Sequence, residues 1–518
     1  MGAGDRRSLR RQRDPCRAGR PVPRPGQGAA MSDRAPLFEL LAASDVERIV
    51  SEACRVLWTV GVLVENQEAS HLLLDAGASS SGDRLLIPER LVRDALASAP
   101  HAVQLFDRAG QLALDLGGSR VHFDPGSCGL HMLDAATHRR RDATTADLVA
   151  IAQLVEGLPH YAAQSTALSP SDVPRELADR WRLAVALHAC AKPVVTGTFR
   201  KDGFAPMLAM LVAVRGGAAE LADKPLAIFD CCPSPPLKWS DLTAQALMDC
   251  ARARVPATLV SMPLTGAASP VTLREAVVQH CAENLSGVVL HQLAGKGSPV
   301  LYGGAPSAFD MRQGTTPMGA AETMLIDIGA AQVGRHLGLP THGYLALSDA
   351  KVPDYQSGME TASGAVLAAL AGINLVSGPG MLDFVLTQSL EKLVLDHEAC
   401  AMALRLASGI RVSADDPVAL MADLVKSGSL LGHPHTRKHW RGELMIPSAV
   451  IDRGSYGDWE AAGGKWAHER AAADAERRRK LPSKSALTES QSRALHEILR
   501  EEASRWGAEP LPRIELGS

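Results

Sequence analysis

Residues 340–398 decide the fold: PTHGYLALSDAKVPDYQSGMETASGAVLAALAGINLVSGPGMLDFVLTQSLEKLVLDHE. The pattern predicts a short buried strand, a polar loop, a small-residue helix, a second buried strand and a second helix. Strands that alternate with helices of about 10–15 residues are typical of βα units with parallel pairing. Polar residues follow the strands directly, which is where a βα barrel carries its chemistry.

Six similar units extend this pattern towards the N-terminus. The predicted strands are 119–126, 161–168, 192–199, 224–231, 255–262, 298–305, 339–347 and 373–380, each followed by a helix-like run. Eight such units are the count of a TIM barrel. An open doubly wound sheet is the alternative, but it usually has fewer strands, and no GxGxxG follows the first one. We therefore predict an α/β fold, a TIM (β/α)8 barrel over 119–410.

Three further regions flank the predicted barrel. Residues 1–30 contain eight Arg and many Pro and Gly with almost no apolar pattern, so they cannot bury enough surface to offset their ordering entropy. We interpret them as a disordered arm or an upstream over-extension of the reading frame, with an organelle-targeting arm as the alternative. Residues 31–118 predict a helical cap with a β-hairpin at 101–118. Residues 411–518 predict a helical extension that packs on the barrel or forms a subunit contact.

Composition narrows the classes of function. The chain of 518 residues is 46% apolar and 21% charged, with a net charge of −3, as in ordinary globular proteins. This balance gives no reason to expect a nucleic-acid or membrane partner, and no uncharged apolar run reaches the ~18 residues of a membrane span. The nine cysteines form no CxxC pair, which favours free thiols in a reducing cytoplasm.

Several motifs resemble one enzyme family. They are SDAKVPDYQSGMETASGAVLAALAGINLVSGPGMLD (348–383), EKLVLDHE (391–398), LDAATHRRRDATTADL (133–148), HPHTRKHW (433–440) and IDRGSYGDWEAAGGKWAHERA (451–471). Together they are similar to the trimethylamine methyltransferase family of corrinoid-dependent methyltransferases. The resemblance implies a barrel enzyme that passes a methyl group from a methylated amine to the Co(I) of a separate corrinoid protein, with no tightly bound cofactor of its own.

The resemblance also bears on the substrate. The family's founding members use pyrrolysine in the barrel, whereas this chain has only standard residues. It therefore resembles the branch without pyrrolysine, some members of which demethylate glycine betaine. A quaternary ammonium already leaves as a neutral amine, so the protein need only bind, orient and desolvate it. Because Co(I) is the nucleophile, no Ser, Cys or His is required in that role.

A quaternary cation is held by aromatic faces at about 0.5–2 kcal/mol per ring. Aromatic residues make up only 4% of the chain, yet several fall at predicted strand ends: Phe229, Tyr302, Phe309, Tyr344 and Tyr355. We predict that they line the substrate site, and ordinary core packing is the alternative. A betaine carboxylate would need donors such as His342, Arg200, Arg312 or the amides of 303–304 and 378–380.

Polar residues after the seventh strand complete the predicted site. We predict catalytic roles for Asp349, Tyr344 and His342, and substrate binding by Asp354, Gln356 and Glu360. Capping of the next helix is the alternative for the acidic residues. Asp124 directly follows the first barrel strand and is a further substrate-binding candidate.

Two patterns raise the question of metal binding. Cys231 and Cys232 follow strand four, and thiolates can bind zinc, but adjacent cysteines make strained joint ligands. His433, His435 and His439 have a loosely metal-like spacing outside the barrel, and we interpret them as structural. We predict no metal. Two rivals remain, a zinc-dependent barrel methyltransferase and a non-catalytic betaine-binding protein on the same fold. We also expect a homo-oligomer.

Overall fold

The computed structural model describes residues 38–480, 486–508 and 510–515. The predicted arm at 1–30 lies outside the described residues. The first region contains α1 (Ala43–Thr59), β1 (Val62–Val64), α2 (Gln67–Asp75), β2 (Ser79–Ser81), β3 (Arg84–Leu86), α3 (Glu89–Ser98), β4 (Val103–Phe106) and β5 (Leu112–Leu116).

The central region alternates strands and helices. Its elements are β6 (His122–Asp124), β7 (His131–Leu133), β8 (Arg140–Asp142), α4 (Thr145–Glu156), β9 (Gln164–Ser165), a 3₁₀ helix (Arg175–Leu177), α5 (Ala178–Ala189), β10 (Val194–Thr196), α6 (Phe204–Arg215), α7 (Ala218–Asp223), β11 (Ala227–Cys231), β12 (Lys238–Trp239), α8 (Asp241–Ala253), β13 (Ala257–Leu259), α9 (Leu273–Ala294), β14 (Val300–Gly304), α10 (Ala321–His336), β15 (Thr341–Gly343), α11 (Tyr355–Ala371), β16 (Leu375–Ser377), β17 (Met381–Leu382), β18 (Thr387–Gln388) and α12 (Leu390–Ala407).

The last region is helical. It contains α13 (Pro417–Ser427), α14 (Pro434–Glu443), α15 (Tyr456–Ala461), α16 (Ala467–Arg479) and α17 (Glu489–Trp506). Helix α16 packs on α12 and α4, and α17 packs on α6 and α5, so both lie against the helical layer of the barrel. Helix α13, in contrast, has no buried residue.

The predicted barrel is confirmed. The eight predicted strands correspond to one parallel sheet in the order β6, β16, β15, β14, β13, β11, β10 and β9. A bridge between Phe123 and Tyr161 joins its two ends, and the amide of Ala162 donates a 2.9 Å hydrogen bond to the carbonyl oxygen of Phe123. The ring is thereby completed, with helices around it.

The predicted hairpin is present as antiparallel β4 and β5. Its buried side chains pack against barrel residues near the amino-terminal ends of the strands, in a cluster made of Val103, Leu105, Leu114, Leu116, Ala163, Val195, Ile228, Leu301 and Leu375. The hairpin therefore fills this end of the barrel with apolar side chains. The polar residues of an active site are therefore expected at the opposite end, where the strands finish.

A small sheet that the sequence did not predict lies beside that open end. It has the order β17, β18, β7, β8 and is formed by the segments after β6 and β16. Arg140 on β8 is paired with Asp383 at 2.5 Å, and Lys351 lies 3.3 Å from the same carboxylate. The pair of Arg140 and Asp383 joins the two segments at the rim, and Lys351 adds the loop after β15 to the same contact.

The division into cap, barrel and extension remains a prediction. Residues of α1 and of the barrel helices belong to one continuous apolar core, and the whole described chain falls within one compact unit. None of the described helices combines the length and the hydropathy that a bilayer crossing requires.

Candidate active site

A cavity of about 400 Å³ lies at the carboxyl ends of the barrel strands. It is lined by residues that follow or end several different strands, among them Ser127, Cys128, Thr166, Thr196, Phe199, Asp230, Cys232, Val260, Met262, Ala305, Ser307, Met318, Tyr344 and Phe384. Because successive side chains of a strand alternate between its faces, the inward-facing Ile228 places Asp230 and Cys232 on the same inner side. The lining is mostly apolar, with a few polar groups in defined positions.

A larger groove of about 780 Å³ lies on the outside, between α5, α17 and residues 510–514. No barrel strand contributes to it. Since the strand ends carry the chemistry of this fold, we place the candidate active site in the smaller cavity.

Asp230 supplies a carboxylate to the cavity. It stands near the end of β11, and its Oδ1 atom has no hydrogen-bond partner. Burial raises the pKa of Asp230 to about 7, although the nearby positive charge of Arg182 works against this rise. The cavity therefore holds a carboxylate with one oxygen that has no hydrogen-bond partner.

Arg182 lies at the same cavity but comes from helix α5. Its side chain is almost fully buried, and its Nη2 donates hydrogen bonds to both the carbonyl oxygen and the hydroxyl of Thr166. The guanidinium carbon lies 4.7 Å from the ring centre of Phe199. A buried guanidinium thus accompanies the half-buried carboxylate of Asp230.

Tyr344 is the predicted catalytic residue that lines the cavity. Its hydroxyl donates a 3.0 Å hydrogen bond to the carbonyl oxygen of Ser127. Burial raises the pKa of Tyr344 well above its ordinary value, with the charge of Asp230 adding to the effect. The phenol therefore stays neutral, and its ring forms part of the wall.

His342 and Asp124 are brought together by Ser377. The Ser377 hydroxyl donates to Asp124 Oδ1 at 2.7 Å, and His342 Nε2 lies 3.1 Å from the same hydroxyl. The ring of His342 meets that of Tyr344 edge-on at 5.4 Å. Burial lowers the pKa of His342 to about 3 and raises that of Asp124 well above its usual range. Neither lines the cavity, so they support Tyr344 from within the barrel.

Asp349 acts on the cavity wall through the backbone. Its carboxylate accepts hydrogen bonds from the amides of Met318 at 2.9 Å and Gly319 at 2.8 Å. Glu360 in turn accepts from the amide of Asp349 at 2.9 Å and from the Ser348 hydroxyl at 2.6 Å. Since Met318 lines the cavity and Asp349 does not, Asp349 and Glu360 hold the loop before α10 in place.

The other predicted polar residues lie at the start of α11. Asp354 caps this helix by accepting from the Ser357 amide. Tyr355 is 83% exposed, and Gln356 donates to Glu360 Oε1 at 2.9 Å. The structure places none of Asp354, Tyr355 and Gln356 in the cavity lining, and the capping alternative describes Asp354.

Two predicted aromatic residues face away from the cavity. Phe229 packs against Phe204 of α6 with ring centres 5.1 Å apart, and Tyr302 packs on His280 of α9 at 5.3 Å. Both side chains leave their strands on the helix side and neither lines the cavity, so the packing favours the core alternative and substrate binding by these two residues stays a prediction. Phe309 is half-buried in the β14–α10 loop and is not part of the lining.

The proposed carboxylate donors also lie elsewhere. Arg200 stacks on Trp506 at 4.2 Å and donates a hydrogen bond to Asp202, and Arg312 is an exposed partner of Asp310.

The cavity residues that the sequence did not predict are Asp230, Arg182 and Phe199. Asp230 could have been found by assuming that the even-numbered side chains of β11, rather than the odd-numbered ones, face the inside of the barrel. Nothing in the sequence marks Arg182, which lies within a helix.

The two adjacent cysteines point to opposite sides of β11. A hydrogen bond with Cys250 of α8, together with burial, raises the pKa of Cys231 well above its usual value, whereas Cys232 lines the cavity. In the described part of the chain, neither belongs to a group of three potential metal ligands. The geometry therefore gives no support to a joint zinc site at these thiols.

The sequence of this chain matches a known family of enzymes. The sequence model of the trimethylamine methyltransferase (MTTB) family matches residues 6–505. The chain belongs to the trimethylamine methyltransferase family. It is 31% identical to the trimethylamine methyltransferase MttB of Desulfitobacterium hafniense, covering 91% of this chain and 95% of that protein. It is 26% identical to a glycine betaine methyltransferase of D. hafniense, covering 83% and 90%.

A solved structure shows the same fold. The monomethylamine methyltransferase MtmB of Methanosarcina barkeri superposes with a TM-score of 0.51 at 10% identity, over 93% of this chain and 90% of that one. At this identity the likeness concerns the fold alone. It agrees with the barrel and helical extensions of this member of the trimethylamine methyltransferase family.

Proposed function

We propose that this protein transfers a methyl group from a quaternary or N-methylated amine to the Co(I) of a corrinoid protein. Family membership makes it a methyltransferase, and its relatives are named for trimethylamine and glycine betaine. The observation that carries the proposal is Asp230, a half-buried carboxylate whose buried Oδ1 has no hydrogen-bond partner, in a mostly apolar cavity. Arg182 offsets the cost of ionising this group only in part, and a cation beside the unpartnered oxygen would stabilise the carboxylate further.

The walls suit a cation that cannot donate hydrogen bonds. The aromatic residues Phe199, Tyr344 and Phe384 line the cavity together with Met262 and Met318. An ammonium methylated at every position is stabilised by such faces, by about 0.5–2 kcal/mol per ring. Asp230 supplies the negative charge, so the cavity combines the two features that such cations need.

Arg182 favours a zwitterionic substrate. It is a buried guanidinium in the same cavity as Asp230, and guanidinium groups recognise carboxylates. A betaine would place its ammonium near Asp230 and its carboxylate near Arg182, whereas trimethylamine brings no carboxylate and would leave Arg182 facing Asp230. We therefore favour glycine betaine-like compounds over trimethylamine, although the trimethylamine relatives share more identity.

The chemistry asked of the chain is modest. The bond between the methyl carbon and nitrogen breaks, its electron pair stays on nitrogen, and the amine leaves neutral. A partner corrinoid would supply the Co(I) electron pair for the new carbon–cobalt bond. The residues of this chain hold the ammonium with Asp230, keep water away with the apolar wall and fix the methyl direction with Tyr344. Phe199 and Met262, each about 40% exposed, lie where a partner would approach.

We also propose that the protein forms a homo-oligomer in the cytoplasm. Residues 410–446 expose many apolar side chains, namely Ile410, Val412, Val418, Met421, Val425, Leu431, Leu444 and Ile446. Such a surface is unusual unless another molecule covers it, and a second copy is the occupant we favour. The eight described cysteines are free, which fits a reducing compartment. Sedimentation of the full chain tests the oligomer, and a monomer would contradict it.

The decisive experiment is a substrate panel with free cob(I)alamin, read by methylcobalamin absorbance. We expect turnover with a betaine and slower or no turnover with trimethylamine. Calorimetric binding of betaine without methylcobalamin would instead indicate a binding protein. Stoichiometric zinc that is lost on Cys232→Ser, together with loss of activity, would indicate the zinc-dependent alternative.

A further inference from the structure

A group of three potential metal ligands lies in the C-terminal region. Asp415 directly precedes Asp416, the residue that caps α13, while His435 and His439 belong to α14. One ligand atom from each of these three residues lies within 4.8 Å of the other two. None of the three lines the cavity of the candidate active site, so this group has no part in the proposed methyl transfer.

The helix brings the two imidazoles to one side. Residues four apart in an α-helix lie on the same face, and the rings of His435 and His439 are 4.7 Å apart. Asp415 Oδ2 lies 3.2 Å from His439 Nε2 and 3.7 Å from His435 Nε2. Ligands bonded to zinc at about 2.0–2.2 Å in tetrahedral geometry are roughly 3.2–3.6 Å apart. The atoms are therefore already near the separations that a shared metal ion requires.

Hydrogen bonding does not account for this convergence. His439 Nε2 is buried, yet it has no hydrogen-bond partner despite its distance to Asp415. Burying such an atom unpartnered costs free energy. His433, the third histidine of the motif, is used differently, since its Nδ1 accepts from the His435 amide and its Nε2 lies 3.3 Å from Asp423. His439 Nε2 therefore faces the Asp415 carboxylate at an ion-pair distance but without a hydrogen bond, which is the arrangement expected of two ligands of one metal ion.

We propose that Asp415, His435 and His439 bind a divalent transition-metal ion, zinc in the first place. Imidazole nitrogens select zinc and its neighbours over magnesium or calcium, and three protein ligands leave a position for water. The ion would tie the segment before α13 to α14. Helices α13 and α14 have no buried residue of their own. Coordination of the metal ion would therefore hold these two helices in place where the apolar core does not.

Metal binding by the untagged full chain tests the proposal. The protein is freed of metal with a chelator and titrated with Zn²⁺, and with Co²⁺ to record the ligand-field absorption of the bound ion. The test variants are His435→Gln, His439→Gln and Asp415→Asn. The matched control is His71→Gln, which changes an exposed histidine on α2.

We expect one zinc per chain in the wild type and the control, with a Co²⁺ spectrum of low-symmetry nitrogen and oxygen coordination. Each test variant should weaken zinc binding at least roughly tenfold, and zinc should raise the melting temperature of the wild type but not of these variants. Absence of zinc binding by the folded wild type, or equal binding by the variants, would overturn the proposal. Neither result depends on methyl transfer.

Discussion

The hydroxyl of Tyr344 donates a 3.0 Å hydrogen bond to the carbonyl oxygen of Ser127, which fixes the Tyr344 ring at the cavity wall. Tyr344 extends β15 and Ser127 follows β6, so one contact joins segments far apart in the chain. We expect the ring rather than the hydroxyl to contact the proposed cation.

Removal of that ring should impair catalysis. We expect Tyr344→Ala to lower kcat/KM at least tenfold, about 1.4 kcal/mol, because it removes a wall of the cavity. Tyr344→Phe keeps the ring and loses only the hydrogen bond, so its loss should be smaller. Steady-state kinetics with cob(I)alamin measures both, and equal losses would show that the hydroxyl, not the ring, matters.

Asp230 should control the pH dependence of substrate binding. A cation is bound by the ionised carboxylate, so kcat/KM should fall as the pH drops below about 7, the raised pKa of Asp230. Asp230→Asn should lower kcat/KM at least roughly tenfold, about 1.4 kcal/mol, and abolish this limb of the profile.

The same substitution should not destabilise the fold. The folded pKa of Asp230 lies above the unfolded value of about 3.9, so ionisation costs stability as the pH rises from about 4 to about 7. Above pH 7, Asp230→Asn should therefore be at least as stable as the wild type in urea unfolding. A marked loss of stability there would contradict the raised pKa.

Asp349 should behave as a positioning residue. Asp349→Ala leaves the amides of Met318 and Gly319 without their acceptor, which costs about 1–3 kcal/mol of stability and displaces a cavity wall. We expect turnover to fall at least tenfold, about 1.4 kcal/mol, with partial recovery in Asp349→Asn, which keeps one acceptor oxygen.

Asp354→Ala is the matched control for Asp349. Asp354 only caps α11, so its replacement should cost about 1 kcal/mol of stability and leave turnover unchanged. A loss of turnover in Asp354→Ala comparable with that in Asp349→Ala would show that Asp354 contributes to the active site.

Phe229 should be needed for stability and not for turnover. Its ring packs against Phe204 of α6, outside the cavity. We expect Phe229→Leu to cost about 1 kcal/mol in the free energy of unfolding with kcat and KM unchanged. A rise in KM for the ammonium substrate at unchanged stability would show that the ring contacts substrate after all.

The sequence by itself determined the eight strands, the helices between them and the hairpin β4–β5, because hydrophobic periodicity and turn residues are local signals. It also placed Tyr344 at a strand end. The sequence could not decide whether Phe229 or Asp230 faces the inside of the barrel. Both faces of a barrel strand are buried, so the two alternating sets of side chains along β11 are both mostly apolar.

Only the tertiary structure decided which side of β11 faces inward, and only it brought Arg182 from a helix to the cavity. It likewise set Asp415 beside His435 and His439, twenty and more residues further along the chain. The physical reason is the same in each case. Contacts between distant segments depend on how the elements pack, and neither spacing nor composition encodes that packing locally.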